Sequence, residues 1–437
     1  MRSFCSFITL LTCGFLLSFC SSPNVRAQSG EIFIVYSGNT LGELKPCGCS
    51  REEDQGGIER RATYFKKIRA MHDNLLLLDT GDSFNQPTQQ GKIKANYLMQ
   101  SLALMNYSAI MLGDKDLVYG TDFLKNQKGI PWVGSNYKID GLPLPRYQIK
   151  RFENGLKVAI LAVGDPELFY SGSGEQMAPV EETVRTLVTE LQSKEHPDLI
   201  VLMTHMQRKT SLSFLETPGV DVIINGNIEK ATDVIDTTPV EKPGKIFLQS
   251  DTRGQKMGEL KIHVSASGDK SFSQKMTPLG SAFEFDAEMT ALYEQYNEEI
   301  ETLFFETMTA RRSKTQTKIY AGDVVCKTCH TQSHETWAQS RHGHAYATLK
   351  KVNKAFDPEC LACHVVGFNQ PGGFVSELDT PELKNVQCEN CHGPGLQHSE
   401  SPQAGFGAQA NKACAQCHVK NHSPEFNFST YWPKIKH

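Results

Sequence analysis

Four copies of the pattern Cys-x-x-Cys-His follow residue 325 of this 437-residue chain, and they constrain its fold more than any other feature. In this pattern the two thiols attach a c-type haem covalently and the histidine binds its iron. Zinc ribbons also use paired Cys-x-x-Cys units, but zinc does not require a histidine after every second cysteine. The pattern therefore predicts four haem c groups. The predicted attachment residues are Cys326, Cys329, His330, Cys360, Cys363, His364, Cys388, Cys391, His392, Cys414, Cys417 and His418.

The segment that carries these motifs differs in composition from the rest of the chain. From Tyr320 onward it is poor in aliphatic residues, and the motifs begin at intervals of 34, 28 and 26 residues. Such a segment cannot easily bury an aliphatic core of its own, so we expect the haem macrocycles to form much of the apolar interior. Residues 319–437 are therefore predicted to form a mostly helical and irregular multihaem domain.

Each haem iron needs a second axial ligand unless its site is left open. The domain contains six histidines outside the motifs, and no methionine follows Met308. The count favours bis-histidine ligation, which gives lower reduction potentials than a His/Met pair. The six candidates are His334, His342, His344, His398, His422 and His437. His334 is the weakest of them, because it lies one helical turn after His330, beside its own haem site.

The motif segments resemble the tetrahaem cytochrome c554 family of ammonia oxidation. The matching stretches, in the family's order, are CKTCHTQSHETWAQSRHGHA, ECLACHVVGFNQPGGF, LKNVQCENCHGPG and CAQCHVKNHSPEF. The resemblance implies axial ligation by His342, His398 and His437. It also implies that one haem can lack a sixth ligand and bind small nitrogen oxides there. We expect at least three bis-histidine irons, with a fourth distal ligand drawn from His344 or His422.

The first part of the chain alternates between short apolar runs and polar segments compatible with helices. This alternation predicts an α/β layered domain over residues 30–282. Helical spacing of apolar residues predicts a helix over 285–312, and residues 283–318 are read as this helix and a linker. The apolar runs that predict buried strands are Ile32–Tyr36, Leu75–Leu78, Ala109–Leu112, Val158–Val163, Leu199–Met203, Val220–Ile224 and Ile246–Leu248.

This domain resembles the metallophosphoesterase domain of 5′-nucleotidases, in stretches such as GGIERRATYFKKIR, NLLLLDTGDSF, DLIVLMTHM and GKIFLQSDTRGQKMGEL. The resemblance implies a layered sandwich with two metal ions held at strand ends by Asp, His and Asn. Asp82 and His205 remain as ligands, whereas the other ligand motifs are changed. The changed positions are Asn39, Leu41, Asp114, Lys115, Asp116, Asn227, Ile228 and Glu229. Asp114 and Glu229 could complete one divalent metal site, but we expect the domain to be inactive.

The N-terminus predicts export. An apolar run follows Arg2, and Val25-Arg26-Ala27 is a small-residue cleavage pattern, so residues 1–27 are read as a signal peptide. A lipid on Cys20, with membrane association, is the alternative. Either reading places the mature protein in the periplasm or elsewhere outside the cytoplasm. There, Cys47 and Cys49 are expected to form a disulfide, with a metal site or a partner's cysteine as alternatives.

These features together predict an exported multihaem cytochrome c whose partners are redox proteins. The net charge of −4 provides no basic stripe for nucleic acid. Whether the chain is an enzyme stays open at this point. The first alternative is a haem oxidoreductase that acts on a small nitrogen compound at a five-coordinate haem. The second alternative is a metal-dependent phosphohydrolase of the 5′-nucleotidase type.

Overall fold

The computed structural model describes residues 29–46, 54–169, 175–228, 235–315, 317–419, 422–423 and 425–437. The predicted signal peptide, Cys20, the Cys47 and Cys49 pair, and Glu229 lie outside these residues. Among the helices that are described, none is long and apolar enough to cross a membrane.

Strands in the first part of the chain form two six-stranded mixed sheets and a two-stranded ribbon. Their bounds are β1 Gly30–Ser37, β2 Leu75–Asp79, β3 Ala109–Met111, β4 Trp132–Val133, β5 Tyr137–Ile139, β6 Gln148–Arg151, β7 Lys157–Gly164, β8 Glu175–Met177, β9 Leu199–His205, β10 Val222–Asn225, β11 Val240–Lys242, β12 Lys245–Gln249, β13 Lys256–Val264 and β14 Lys270–Pro278. All seven strands predicted from apolar runs are present.

The sheets combine parallel centres with antiparallel edges. The first sheet has the order β14-β13-β1-β2-β3-β4, in which β1 to β4 are parallel and β13 and β14 are antiparallel additions. The second has the order β11-β12-β10-β9-β7-β6, in which the four central strands are parallel. Parallel strands end at the same edge of their sheet, so the loops after β1, β2, β3, β9 and β10 are brought together.

The described residues of this part of the chain form seven helices. They are α1 Ile58–Met71, α2 Gln89–Leu104, α3 Thr121–Lys125, α4 Val180–Lys194, α5 Arg208–Leu212, α6 Ala287–Glu306 and α7 Met308–Lys314. The predicted helix over 285–312 is thus two helices that meet at Thr307. Short 3-10 turns occur at Asp114–Leu117, Ser213–Glu216, His342–His344, Pro381–Leu383, Ala410–Lys412 and Trp432–Lys434.

Three apolar clusters hold the layers together. One lies between the sheets and contains residues from both, such as Ile34 and Val201. A second packs α4 against the outer face of the second sheet. The third packs α1, α2 and α6 against the first sheet. The order of layers is helix, sheet, sheet, helix, which confirms the predicted α/β sandwich.

The last part of the chain consists of short helices and irregular segments. The helices are α8 Asp323–Lys327, α9 Thr331–Gln339, α10 Ala345–Lys351, α11 Pro358–His364, α12 Cys388–His392, α13 Leu396–Glu400, α14 Cys414–Cys417 and α15 Phe428–Tyr431. Its described residues contain no strand beyond an isolated bridge between Val365 and Lys384. A small group of apolar side chains, including Leu361, Phe374 and Leu383, is buried here and is continuous with the cluster around α2 and α6. The protein part of the domain therefore contributes more core than its composition predicts.

Candidate functional site

The four Cys-x-x-Cys-His motifs each lie on or at the end of a short helix. The second, third and fourth motifs coincide with α11, α12 and α14, and the first begins in α8 and ends before α9. Residues three positions apart lie on the same side of a helical turn, so both thiols of a motif face one way. Of the eight motif thiols, seven are partly buried and that of Cys329 is exposed.

The motifs contact one another in an interleaved order. The Cys326 thiol is in hydrogen-bond contact with that of Cys388, which raises the pKa of Cys326 and lowers that of Cys388. The same contact between Cys363 and Cys417 lowers the pKa of Cys363 to about 7 and raises that of Cys417. The first motif therefore adjoins the third, and the second adjoins the fourth.

Three motif histidines face a histidine from elsewhere in the domain. Two imidazoles that bind one metal from opposite sides, each at about 2 Å, have ring centroids about 6 Å apart. The observed centroid distances are 6.4 Å for His330 with His398, 6.1 Å for His418 with His342 and 5.9 Å for His392 with His437. The structure thus brings together the three predicted distal ligands and three of the four motif histidines.

His364, in the second motif, has a different environment. Its Nδ1 contacts the carbonyl oxygen of Ala345 at 2.7 Å, which leaves Nε2 for another partner. No described histidine ring faces it at the spacing of the other three pairs. The pKa of His342 is lowered by burial, then by His418, and least by His364, so His364 lies near His342 but is not its main neighbour. Neither His344 nor His422 is placed opposite His364, although both were candidates for a fourth distal ligand.

These donor sets fit covalently bound haem. Each motif offers two thiols and one imidazole from a single short segment, and three motifs have a second imidazole at the spacing that two axial ligands require. Nδ1 of His418 contacts Ser423 Oγ at 3.1 Å and Nδ1 of His437 contacts the Ile435 oxygen at 2.8 Å. Such contacts orient a ligating ring and leave Nε2 available. The His334 ring instead contacts Asp323 at 3.0 Å.

A buried carboxylate joins the first motif to the third, and no sequence pattern indicated it. Glu389 accepts hydrogen bonds from the backbone N–H groups of Ala321, Gly322 and Gly395 at 2.9, 2.9 and 2.6 Å. Trp337 adds a bond from its indole Nε1–H to the Val386 oxygen at 2.6 Å. These contacts fix the segment before Cys326 against the helix that begins at Cys388.

In the α/β domain, three potential metal ligands meet at the carboxyl ends of the strands. Asp82 follows β2, Asp114 follows β3, and His205 is the last residue of β9. One ligand atom from each of the three lies within 4.8 Å of the others. His205 Nε2 is 2.8 Å from Asp114 Oδ1 and 3.5 Å from Asp82 Oδ1. Although burial lowers the pKa of His205, the Asp82 and Asp114 carboxylates raise it overall.

The ammonium group of Lys115 lies beside these carboxylates. Its Nζ forms a short contact with Asp82 Oδ2 and lies 3.7 Å from Asp114 Oδ1. Burial opposes the charged form, but Asp82 and Asp114 raise the pKa of Lys115. The buried Asp82 carboxylate is therefore neutralised by a cation that belongs to the chain itself.

The remaining changed positions do not complete a two-metal site. The Asn39 side chain donates to the backbone oxygens of Gly226 and Asp251 at 2.6 and 3.3 Å, and its Oδ1 is buried without a partner among the described residues. Asp116 turns its carboxylate to the N–H groups of Asp82, Ser83 and Gly113. The described residues fit at most one metal ion, and only if Lys115 moves away from Asp82.

The comparison with known families divides the chain in the same way. Residues 325–393 match the family model described as Cytochrome c554 and c-prime. Cytochrome c-554 of Nitrosomonas europaea is 33% identical over 117 residues, covering 22% of this chain and 50% of that protein. The last part of the chain is therefore similar to cytochrome c554, and it spans about half the length of that relative.

The first part is similar to 5′-nucleotidases. Snake venom 5′-nucleotidase of Naja atra is 33% identical over 123 residues, covering 26% of this chain and 23% of that enzyme. The structure of a 5′-nucleotidase precursor from Thermus thermophilus aligns with a TM-score of 0.53 at 20% identity, covering 67% of this chain and 61% of that one. This likeness shows the metallophosphoesterase fold. The chain spans less than a quarter of the venom enzyme's length.

Proposed function

We propose that this protein is an exported c-type cytochrome that transfers electrons through four covalently bound haems. The observation that carries the proposal is the set of four attachment motifs, three of which face a second imidazole at 5.9–6.4 Å. Haem, when bound, supplies a one-electron carrier whose potential depends on its axial ligands and surroundings. His330, His364, His392 and His418 would each hold an iron from one side, and His398, His437 and His342 would hold three of them from the other.

The interleaved motif contacts support electron transfer between haems. The thiols of the first and third motifs touch, as do those of the second and fourth, and burial together with Cys414 raises the pKa of Cys391 in the third motif. Groups attached at these thiols would therefore lie next to each other rather than at separate ends of the domain. Electron transfer from one carrier to the next requires such closeness. A redox protein partner would approach the row of haems at the first motif, where Cys329 is exposed.

The test is a count of haems and of their spin states in the purified full-length protein. Intact mass should show four haem additions, and electron paramagnetic resonance of the oxidised protein should show three low-spin irons and one high-spin iron. A polypeptide without covalent haem would overturn the proposal. Four low-spin irons would agree with an electron carrier but would show that no iron has an open coordination site.

The second candidate function is a haem oxidoreductase acting on a small nitrogen compound at the second motif. The observation in its favour is that His364 has no imidazole opposite it among the described residues, whereas the other three motif histidines do. An iron held from one side only can bind a small ligand. Nitric oxide should bind one haem in four, and turnover with nitric oxide or hydroxylamine would separate an enzyme from a carrier. Binding without turnover would favour the carrier.

We also propose that the phosphoesterase-like domain does not hydrolyse nucleotides. Two metal ions would need the carboxylate that Lys115 contacts and the two histidines that Asn227 and Glu229 replace. Lys115 also stands where the resemblance places a catalytic histidine. Assays with nucleotides and an aryl phosphate, in manganese or zinc, should give no turnover in the ordinary enzyme range of about 1–1,000 per second. Turnover in that range would make the phosphohydrolase alternative correct.

Export is part of the proposal. It is supported by the small-residue pattern that ends at Ala27 and by the attachment motifs themselves. Mass spectrometry of the mature N-terminus separates the two readings of the leader: cleavage after Ala27 gives a free amine at Gln28, whereas lipidation gives a modified Cys20. A chain that retains Met1 would contradict both.

A further inference from the structure

The second motif is held in a different way from the other three. Each of the other motif histidines faces an imidazole that comes from a separate segment, so a group bound between them would be fixed from both sides. His364 has no such counterpart among the described residues. Whatever fixes the orientation of a haem at this motif must therefore act on the motif helix, α11.

Helix α11 is anchored by the α/β domain. Asp357 is its N-cap and accepts from the N–H of Glu359 at 3.1 Å. The same carboxylate accepts a hydrogen bond from Gln90 Nε2 at 2.7 Å, and Gln90 is in the first turn of α2. One turn further along α2, Lys94 Nζ lies 2.5 Å from Glu359 Oε2. Every polar contact between described residues of α2 and the cytochrome domain ends on Asp357 or Glu359.

The anchor is buried and supported from a second helix. Gln90 is 5% exposed and Asp357 is 4% exposed, so neither can exchange its partner for water without opening the junction. Gln90 also contacts the Tyr296 hydroxyl of α6 at 3.1 Å. Lys354 donates both to Asp357 Oδ2 at 3.1 Å and to Asn297 of α6 at 2.7 Å. Unpaired buried polar groups are costly, so this network holds the start of α11 in one position.

Apolar contacts continue the anchor up to the motif cysteine. Leu361 is fully buried in the cluster that includes Leu98 of α2 and Ile300 of α6, and Cys360 packs against the same cluster. The face of α11 that starts at Asp357 and ends at Leu361 thus rests on a platform of two helices from outside the cytochrome domain. The first cysteine of the second motif lies within that face.

We propose that α2, through Gln90 and Lys94, positions the second haem-attachment motif, so that the phosphoesterase-like domain sets the geometry of the haem site that has no opposing imidazole among the described residues. This inference rests on the proposed function, because it assigns a task to the site that is proposed to be open. Gln90 and Lys94 are positioning residues, since they act on the site through Asp357 and Glu359. The retained fold of the first domain then has a use that needs no phosphoester hydrolysis.

The experiment compares full-length holoprotein carrying Q90L and K94M with wild type and with R312M. Arg312 forms a bidentate ion pair with Asp379 at 2.9 and 3.1 Å across the same junction, and among the described residues neither side chain has a hydrogen bond or ion pair with a motif helix. R312M therefore removes a junction contact without disturbing α11. Cyanide affinity and reduction potential are measured at the high-spin haem, and the low-spin haems of each sample serve as the internal reference.

We expect the double variant to change the cyanide dissociation constant of the high-spin haem about tenfold or more, because misplacement by ~1 Å at a reacting centre costs up to ~100-fold. Its low-spin signals and haem count should match those of wild type, and R312M should behave like wild type throughout. K94R, which keeps the charge, should retain most of the wild-type cyanide affinity that K94M loses. A double variant with unchanged high-spin properties overturns the inference.

Two controls keep this test separate from the proposed function. If wild type already lacks a high-spin haem, the open site itself is wrong, whatever the variants do. If the double variant does not accumulate, K94M alone is the test, because its partner Glu359 is half exposed and buried Gln90 stays in place. Equal effects of K94M and R312M on the high-spin haem would show that any lost contact at the junction disturbs this haem, and would overturn the assignment to α2.

Discussion

The carboxylate of Glu389 accepts a hydrogen bond from the backbone N–H of Ala321 at 2.9 Å, so a residue inside the third motif fixes the chain just before the first. E389A leaves this donor and those of Gly322 and Gly395 without a partner in a buried setting. Each such donor costs about 1–3 kcal/mol. We expect a lower midpoint of thermal unfolding in E389A and a smaller decrease in E389Q. E335A, at an exposed position, is the control, and an equal loss there would contradict this account.

The three opposed imidazole pairs predict which histidines are distal ligands. H342A, H398A and H437A should each convert one low-spin iron to high-spin in the electron paramagnetic resonance spectrum, because each removes the ring that faces a motif histidine at 5.9–6.4 Å. H344A and H422A should leave the spin states unchanged. If any of the first three variants keeps all its low-spin irons, that histidine is not a ligand.

Removal of Lys115 should expose a metal site. In K115M the carboxylates of Asp82 and Asp114 lose their cation, and breaking a buried ion pair costs about 3–5 kcal/mol. Zinc or manganese can replace the lost charge by binding to Asp82, Asp114 and His205. Added metal should therefore raise the thermal unfolding midpoint of K115M but not that of wild type. The double variant with D114A should lose the response, and a metal response of wild type would refute the idea that Lys115 excludes metal.

The buried carboxyl of Asp116 predicts a pH dependence of stability. Burial, and then the nearby Asp82 charge, raise its pKa to about 7, against the backbone N–H groups of Gly113 and Ser83, which favour the ionised form. Between about pH 4 and 7 the folded state then holds a proton that the unfolded state has released, so stability falls as pH rises and becomes flat above 7. Wild type should lose more thermal stability than D116N between pH 5 and pH 8. Parallel losses would indicate that the N–H donors keep Asp116 ionised.

The sequence predicted the central strands better than the sheet edges. Runs such as Leu75–Leu78 are buried on both faces of a parallel sheet, so continuous apolar sequence identified them. The hairpin of β13 and β14 was missed, because β14 is half exposed along its length and reads as polar. A signal was present only in β13, where Leu260, Ile262 and Val264 alternate with polar residues before a turn at Gly268, which has φ +89°.

The motif histidines could be predicted from local spacing, whereas the residues that contact the motifs are brought there by tertiary structure. Cys-x-x-Cys-His is a local pattern, and the distal candidates followed from a count of histidines and from family resemblance. Glu389 and Gln90 gave no signal, because their partners lie 68 and 267 positions away along the chain. A hydrogen bond between distant segments leaves no periodicity in a single sequence.

The interleaved order of the motif contacts has a consequence for how the chain matures. Synthesis proceeds from the N-terminus, so the segments with Cys326 and Cys363 emerge before the segments with Cys388 and Cys417 that they finally touch. The first two motifs are therefore without these neighbours when they are synthesised. A product that stops before Cys388 contains neither contact. The contacts between motifs therefore form only after the last two motifs have been synthesised.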